Sequence, residues 1–527
     1  MALPEQDMQW PPAELAEITP KLAEWSAWYS NDQHTLEQVY TSKAGRPGLF
    51  NRIAAWFWSS KSSDSDPGTF KLHVPIASDL CQVSADLLLS EPPTVTVAGD
   101  KVAQERLALI AGPEFVQVLV DAVEVSAALG GTYLRATWDD KIADSVFVTK
   151  VDADGAWPEF RYGRLQAVTF WRIVATDSTT VYRHLERHEL DENGTGWIYH
   201  GLYQGSHDLL GRNVPLLDQR ATAPLADMVD AFGRVSTESP GLAVVYIPNM
   251  SPNRRWRNNP HGAPLGRSDL DGIEPLLDAF DRVYSSLMRD IEIGKGRVLV
   301  AQSALHDLGA GKGASFDIDQ SVFVGLNLPP GPMGGTSSPV QQLQFDIRVD
   351  EHLRAAADLY TQIVRTAGYS SQTFGEKDTS ANERTATEIT AKERRSYLTR
   401  DRKLRSLKPQ TEKLLTKALL MDAAKFNNTA KGAVTVTFAD AIQESPLTMA
   451  NTLQMLKSAE AMSIQLRVQT LHPDWDENAV LEEVARIKTE QGSLIPDPTG
   501  FAFPSEVTGG EPTTSIDTTG ADPTLNG

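Results

Sequence analysis

The chain has 527 residues, 41% of them hydrophobic and 22% charged, which is enough for several cores and too long for one compact domain. Its formal net charge of -20 argues against a protein that coats its whole surface with nucleic acid, because neutralising phosphate needs a basic footprint; any DNA contact must be local or weak. The single cysteine, Cys81, excludes an intrachain disulfide, no stretch approaches the roughly 20 apolar residues of a membrane helix, and no N-terminal apolar run resembles a signal peptide, so a reducing cytosol and no membrane are expected.

In chain order, Ala13 to Tyr40 is aromatic-rich and reads as helix, with Leu15, Leu22, Trp25 and Trp28 free to pack, and Lys61 to Gly68 reads as loop. Pro75 to Leu89 predicts a buried helix, Thr94 to Val97 a short strand, and Leu107 to Leu129 one apolar helix closed by Gly130. From Thr132 to Ile247 the pattern alternates and is broken by turns, with Asn193-Gly194 a strong hairpin signal, so this half is mixed α+β with antiparallel hairpins. Ser251 to Gly266, rich in Asn, Pro and Arg, reads as a linker.

A helical stripe of Ile273, Leu276, Phe280, Val283, Leu287 and Ile291 follows, opened by the capping-box spacing of Asp271 and Glu274 and ended by Gly294. Lys295 to Leu343 carries short strands at Arg297 to Ala301, Ser315 to Ile318 and Val322 to Leu326, plus a Gly/Pro-rich bend, and so predicts a small β module between two helices. The second helix has Asp346 as N-cap and Gly368 as stop. Its apolar residues Val349, Leu353, Ala356, Tyr360, Ile363 and Ala367 form a narrow heptad seam that requires another helix beside it.

Tyr369 to Arg384 is polar and reads as a loop that buries little, so deleting Gln372 to Lys377 is expected to cost the subunit little. A long helix then starts near Ser380 or Thr385. It is a basic island, with a solvated or partner-facing first half, a packed second half around Leu407, Leu414 and Leu419, and a kink or division at Pro409. Val434, Val436 and Phe438 alternate as a strand, Leu447 to Leu466 and Asn478 to Glu490 read as helices, and the Pro/Gly/Thr/Ser-rich tail from Ser493 reads as disordered.

Candidate chemistry is sparse. Gly309 to Ser315 resembles a phosphate loop in composition, but His306 stands where the first Walker glycine belongs and Gly313 where Ser or Thr belongs; a turn is the better reading. His184 and His188 are four apart, but on an expected strand without the intervening Glu of a zinc motif, so a half-exposed sheet face is expected. Cys81 lies on an apolar helix and is expected to be buried. No catalytic, cofactor or metal constellation is read, and the chain is not expected to be an enzyme.

The order of parts, together with Gly266-Arg267-Ser268-Asp269, Thr385-Ala386-Thr387-Glu388-Ile389 and the apolar helix ending before Pro92-Pro93, resembles the portal proteins of tailed bacteriophages, in particular those of long-tailed phages of Gram-positive hosts. The resemblance implies a ring, usually of twelve copies, at one capsid vertex in the virion, assembled in the host cytoplasm, through which double-stranded DNA is packaged and ejected. It implies a wing at 1–265, stem helices at 266–294 and 346–368, a clip at 295–345, a tunnel loop at 369–384, a long wing helix at 385–426, a crown at 427–492 and a tail at 493–527. Gln372, Thr373, Lys377, Asn382 and Arg384 would then face the DNA channel. Lys295, Arg297, His306 and Lys312 would lie on the clip surface that meets the terminase large subunit and later the head-tail connector, with major capsid and scaffolding proteins as further partners. Two other classes fit less of the chain: a capsid or tail scaffold protein without a channel, and a nucleic-acid enzyme that binds through the basic helix.

Overall fold

The computed structural model describes residues 3–43, 72–98, 101–293, 297–300, 306–307, 314–315, 340–343, 348–375, 386–439, 453–459, 461–472, 475 and 477–493. The chain is α+β and divides into two units, Met1–Ala441 and Ile442–Gly527. The first unit opens with α1 (Thr19–Tyr29), α2 (Gln33–Lys43), α3 (Ile76–Leu89), the strand β1 (Thr94–Val97), α4 (Lys101–Ile110) and α5 (Pro113–Leu129). The single helix expected over Leu107 to Leu129 is therefore two. Gly112 is extended and Pro113, which has no N–H to continue the preceding turn, opens α5. Gly130, at φ 84°, ends α5 in the left-handed region as expected.

Strands β2 (Gly131–Thr137), β3 (Phe147–Asp152), β4 (Ala156–Arg161), β5 (Arg164–Asp177), β6 (Thr180–Leu190), β7 (Thr195–Gly205), β8 (Arg212–Val214), β9 (Arg234–Pro240) and β10 (Val244–Pro248) form two antiparallel sheets. One has the order β10-β2-β3 and the other β4-β5-β6-β7-β8, with β9 added to β7. The Asn193-Gly194 hairpin is present. The Asp191 carboxylate accepts from the amides of Asn193 (2.9 Å) and Thr195 (2.8 Å), and Gly194 supplies the positive φ.

Residues 251–266 are no linker. Asn253, 4% exposed, donates to the Gly266 carbonyl (2.9 Å) and accepts from the Arg255 and Trp256 amides, while Trp256 packs against Trp25. Short polar side chains that close turns on their own backbone look like linker composition but here build a packed loop.

Next come α6 (Glu274–Ile293), the short strands β11 (Arg297–Val300), β12 (His306–Asp307), β13 (Ala314–Ser315) and β14 (Val340–Leu343), then α7 (Val349–Ala367), α8 (Ala386–Lys425) and β15 (Val434–Thr437). β11 pairs with β14 and β12 with β13, both antiparallel. The stretch expected as strand at Val322 to Leu326 lies outside the described residues, as do Phe316 to Ile318 and the tail from Leu494. β15 runs antiparallel to β1, Thr94 opposite Thr437, so the end of this unit is stitched to its beginning.

Arg106 on α4 grips Asp422 on α8 with two bonds of 2.6 Å, and Asp422 also accepts from the Val146 amide (3.0 Å). Pro409 does not divide α8. It is exposed, as is Arg405, so the break in the hydrogen-bond ladder falls on the solvent side of the helix.

In the second unit the helix expected over Leu447 to Leu466 is interrupted: residues 453–458 are helical, and α9 (Ile464–Leu471) begins anew at Ser463, whose hydroxyl accepts from the Leu466 amide (3.2 Å). α9 packs on α10 (Glu477–Ser493) through Val468, Val480 and Val484.

Against β9, Lys417 of α8 is 5% exposed and meets no carboxylate among the described residues. Its ammonium contacts the Ser239 hydroxyl (2.7 Å), the carbonyls of Ser239 (2.8 Å) and Pro240 (3.0 Å), and the Thr237 hydroxyl (3.1 Å). Burial pushes its pKa down from 10.5 to about 7. Between those two values the unfolded chain binds more protons at this site than the folded one, so its contribution to stability rises with pH in that window. Urea unfolding at pH 7 and pH 9 is expected to show a larger gain for the wild type than for Lys417→Met, approaching about 1.4 kcal/mol per pH unit. Equal gains would mean that Lys417 keeps its proton throughout.

Candidate functional site

Helices α6 and α7 lie side by side, as the seam on α7 requires. Leu277, Phe280 and Leu287 of α6 and Ala356, Ile363, Val364 and Ala367 of α7 are buried, with Phe280 and Tyr360 ring centroids 6.5 Å apart. The seam is covered only in its C-terminal half. Val349 is 38% and Leu353 47% exposed, and Leu353, Tyr360, Phe280, Tyr284, Val74 and Pro75 line an open apolar groove of about 560 Å³. The expected cap, Asp346, lies outside the described residues, and Arg348 occupies the N-cap position of α7. At α6, Asp271 accepts from Arg255 Nε (2.7 Å) rather than capping, while the Glu274 carboxylate takes the Gly272 amide (2.8 Å) and the Trp25 indole N–H (2.8 Å).

Where α7 ends, four distant segments meet at one carboxylate. Asp269 Oδ2 accepts from Lys403 Nζ of α8 (2.6 Å) and from the Tyr369 hydroxyl (2.7 Å), and its Oδ1 accepts from Asn249 Nδ2 (2.8 Å). Lys403 also reaches the hydroxyls of Ser84 on α3 (2.6 Å) and Tyr369 (2.9 Å). Lys403 is 3% and Asp269 2% exposed; burial lowers the lysine pKa, and the Asp269 charge works against that shift. Burial and the same carboxylate raise the Tyr369 pKa.

Backbone packing holds Asp269 in place. Gly130 and Gly266 touch main chain to main chain, so that a Cβ at Gly266 would come within 2.1 Å of the Gly130 carbonyl, and the Asp269 amide donates to the Ala127 carbonyl (2.9 Å). This accounts physically for Gly266 in the Gly266-Asp269 segment.

The basic helix has two faces. Ser396, Thr399, Arg400, Lys403, Leu407, Thr411 and Leu414 are all buried and recur mostly at three- and four-residue steps, so one face of the helix from Ser396 on is polar yet packed, whereas the charges of its first half read as solvated or partner-facing throughout; Arg394, Leu398 and Arg402 on the other face are exposed. Arg400, for instance, donates to the Leu87 carbonyl (2.7 Å) and to that of Ala439. The signal was present in the sequence: the positions four and seven residues before Leu407 are Lys403 and Arg400.

The segment expected as a free loop is anchored at its start. Tyr369 is 2% exposed, Ser371–Phe374 form a 3-10 turn, and Phe374 meets the Tyr369 and Tyr360 rings edge-on. The Ser396 hydroxyl accepts from the Ser370 amide (2.9 Å) and shares a bond with the Thr373 hydroxyl (2.8 Å), while the Thr399 hydroxyl donates to the Gly368 carbonyl (2.6 Å). Of the candidate channel residues, Gln372 and Thr373 thus sit half-buried on this turn, and Lys377, Asn382 and Arg384 lie outside the described residues. Deleting Gln372 to Lys377 would therefore remove packed structure.

On the expected clip, Arg297 pairs with Leu343 and His306 with Ser315 in backbone register; their side chains, and Lys295 and Lys312, lie outside the described residues. The phosphate-loop-like run lies outside them too, apart from Ala314 and Ser315.

His184 and His188 are on strand β6 as read, but buried at 3% and 1% exposure instead of half-exposed. They face the other sheet: His184 Nε2 lies 3.2 Å from His200 Nδ1, and His188 Nε2 lies 2.7 Å from Glu186, which also pairs with Arg135 of β2. Among the described residues no group of three or more His, Cys, Asp or Glu is arranged to hold a metal ion. Cys81 is buried, and its thiol pKa is raised by that burial. Among the described residues no helix is long and apolar enough to cross a membrane.

Paired helices flanking short antiparallel strand pairs, and a long helix packed on a mixed α+β body with a turn held against it, make up the described first unit. The family described as phage portal protein, SPP1 Gp6-like, matches this chain over residues 12–497, and the chain belongs to that family. The family is structural, and membership implies an oligomeric ring at a capsid vertex of the virion, associated in general with capsid and terminase. No curated protein matches the chain.

Replacing Lys403 by Met strands the Asp269 charge in the interior, and breaking a buried pair in this way costs about 3–5 kcal/mol. Lys403→Met is expected to lower the unfolding free energy from urea titration by that amount, and Lys403→Met/Asp269→Asn to recover most of it. A double variant no more stable than the single one would show that the pair itself, rather than the stranded charge, supplies the stability.

Proposed function

We propose that this portal subunit closes into a ring, of twelve copies by resemblance, that serves as the channel for double-stranded DNA during packaging and ejection. The observation that carries this reading is the half-covered seam of α7 in a chain matched to the portal family over residues 12–497. A helix face left apolar at Val349 and Leu353 is completed in a heterologous ring by the adjacent copy, since every subunit then presents one edge and receives the other.

In this reading α6 and α7 are the stem and 295–345 the clip that docks the terminase large subunit and then the head-tail connector, with Lys295, Arg297, His306 and Lys312 on its surface. The tunnel loop narrows to residues 376–384, because 369–375 is anchored on α8. Lys377, Asn382 and Arg384 are its phosphate-facing candidates. The wing is built on the two sheets, and 427–492, which includes β15, is the crown. The acidic balance of the chain suits a conduit, because carboxylates repel phosphate and let DNA slide.

Negative-stain microscopy of the purified chain is expected to show closed rings with a central hole. Particles assembled with Lys377→Ala/Arg384→Ala are expected to keep the ring but hold less packaged DNA. Rings without a hole would favour a scaffold protein, and unchanged DNA content would remove residues 377 and 384 from the channel.

A further inference from the structure

Beside the Asp269 junction, cations outnumber their partners. Arg254 and Arg255 come from the packed loop, Arg267 from the segment that leads to Asp269, and Arg402 and Lys403 from α8. The Arg267 guanidinium lies within electrostatic range of Arg254, Arg402, Asp269 and Asp271. Both carboxylates are committed: Asp269 to Lys403 at 2.6 Å and Asp271 to Arg255 at 2.7 Å. Among the described residues, Arg254, Arg267 and Arg402 make no ion pair. Arg254 and Arg402 are exposed and, among the described residues, make no ion pair or hydrogen bond; half-buried Arg267 has only the Met250 sulfur at 3.6 Å. Burial and then the neighbouring Arg254 lower the Arg267 pKa, so like charges are held together against their repulsion.

An isolated subunit gains nothing from this arrangement, which calls for an anionic surface in the assembled state. We propose that Arg254, Arg267 and Arg402 form a subunit-docking site that receives carboxylates from the adjacent copy of this chain. The proposal rests on the ring reading and names the contact. Three observations favour a second copy over a phosphate backbone. With these three arginines set aside, the chain keeps 49 - 3 = 46 Lys and Arg against 69 Asp and Glu, so carboxylates outnumber cations over the rest of a neighbouring copy. In a heterologous interface the meeting face is always a different one. The surplus is arginine throughout, and Leu398, one turn before Arg402 on the exposed face of α8, is 56% exposed; arginine beside an exposed apolar side chain is the composition of protein interfaces, where lysine is depleted.

The test compares the full-length wild type with Arg254→Glu/Arg402→Glu by sedimentation velocity and negative-stain microscopy over a range of protein concentrations, at low and high salt. Both side chains are exposed, so the variant monomer is expected to match the wild type in circular dichroism and unfolding midpoint. Ring formation is expected to need at least about ten times more variant protein, and wild-type assembly to weaken at high salt, where such pairs are screened. Because Cys81 is the single cysteine and is buried, Arg402→Cys carries one reactive thiol. A photo-cross-linker placed there is expected to join an acidic peptide of a neighbouring copy within the ring. Rings of the double variant at wild-type concentrations would overturn the docking site and leave the ring reading standing. Normal variant rings that retain less DNA would overturn it in favour of a phosphate contact. A wild type that forms no rings under any condition would overturn the ring reading and this site with it.

Discussion

The buried contact between Lys403 and Asp269 is the constraint around which the first unit is arranged. Through Ser84, Asn249 and Tyr369 it joins α3, the end of β10, the segment before α6 and the residues after α7, and it sets the register of α8 against all of them. An ion pair of this kind adds little net stability over well-packed apolar residues, because two charges have been taken from water. What it adds is selectivity. A helix whose buried stripe was only leucine could slide by a turn at modest cost, whereas a slide here leaves an ammonium and a carboxylate buried and apart.

The cations of α8 divide into two populations with opposite roles. Arg400, Lys403 and Lys417 point inward and bind carbonyls, hydroxyls and the Asp269 carboxylate, acting as long polar tethers to α3, β9 and the segment before α6. Arg394, Arg402, Arg405 and Lys413 face outward. A count of charges along the helix merges the two, which is why its first half reads as solvated or partner-facing in sequence.

Much of the fold was legible because it follows from local chemistry. The alternation through β5 to β7, the turn at Asn193-Gly194, the stop at Gly368 and the α6 stripe each express a preference that short-range sterics and burial enforce. Failures occurred where a distant partner decided the outcome. Asn253 turned a linker composition into packed structure by bonding Gly266, and the face of β6 that carries His188 left the surface because Phe170 packs on that ring and Arg135 of the other sheet pairs with its neighbour Glu186. Ser396 captured Ser370 and Thr373, which no periodicity of the loop itself encodes. The Asp269 junction was visible only as two separate hints, a Gly266-Asp269 segment and a lysine at the stripe position of Leu407 and Leu414.

The pairing of β1 with β15 also dictates when the chain can finish folding. Thr94 and Thr437 lie 437 - 94 = 343 positions apart, and between them α8 supplies Leu407, Leu414, Leu415 and Leu419 to a core whose other walls are α4, α5 and the first sheet. At about 5–20 residues per second on the ribosome, those walls wait on the order of 20–70 s for their closing helix and strand. The nascent subunit therefore passes through a long interval with its central core uncovered and its α8 surface not yet made, so assembly contacts on that surface can form only after the full body of the first unit has left the ribosome.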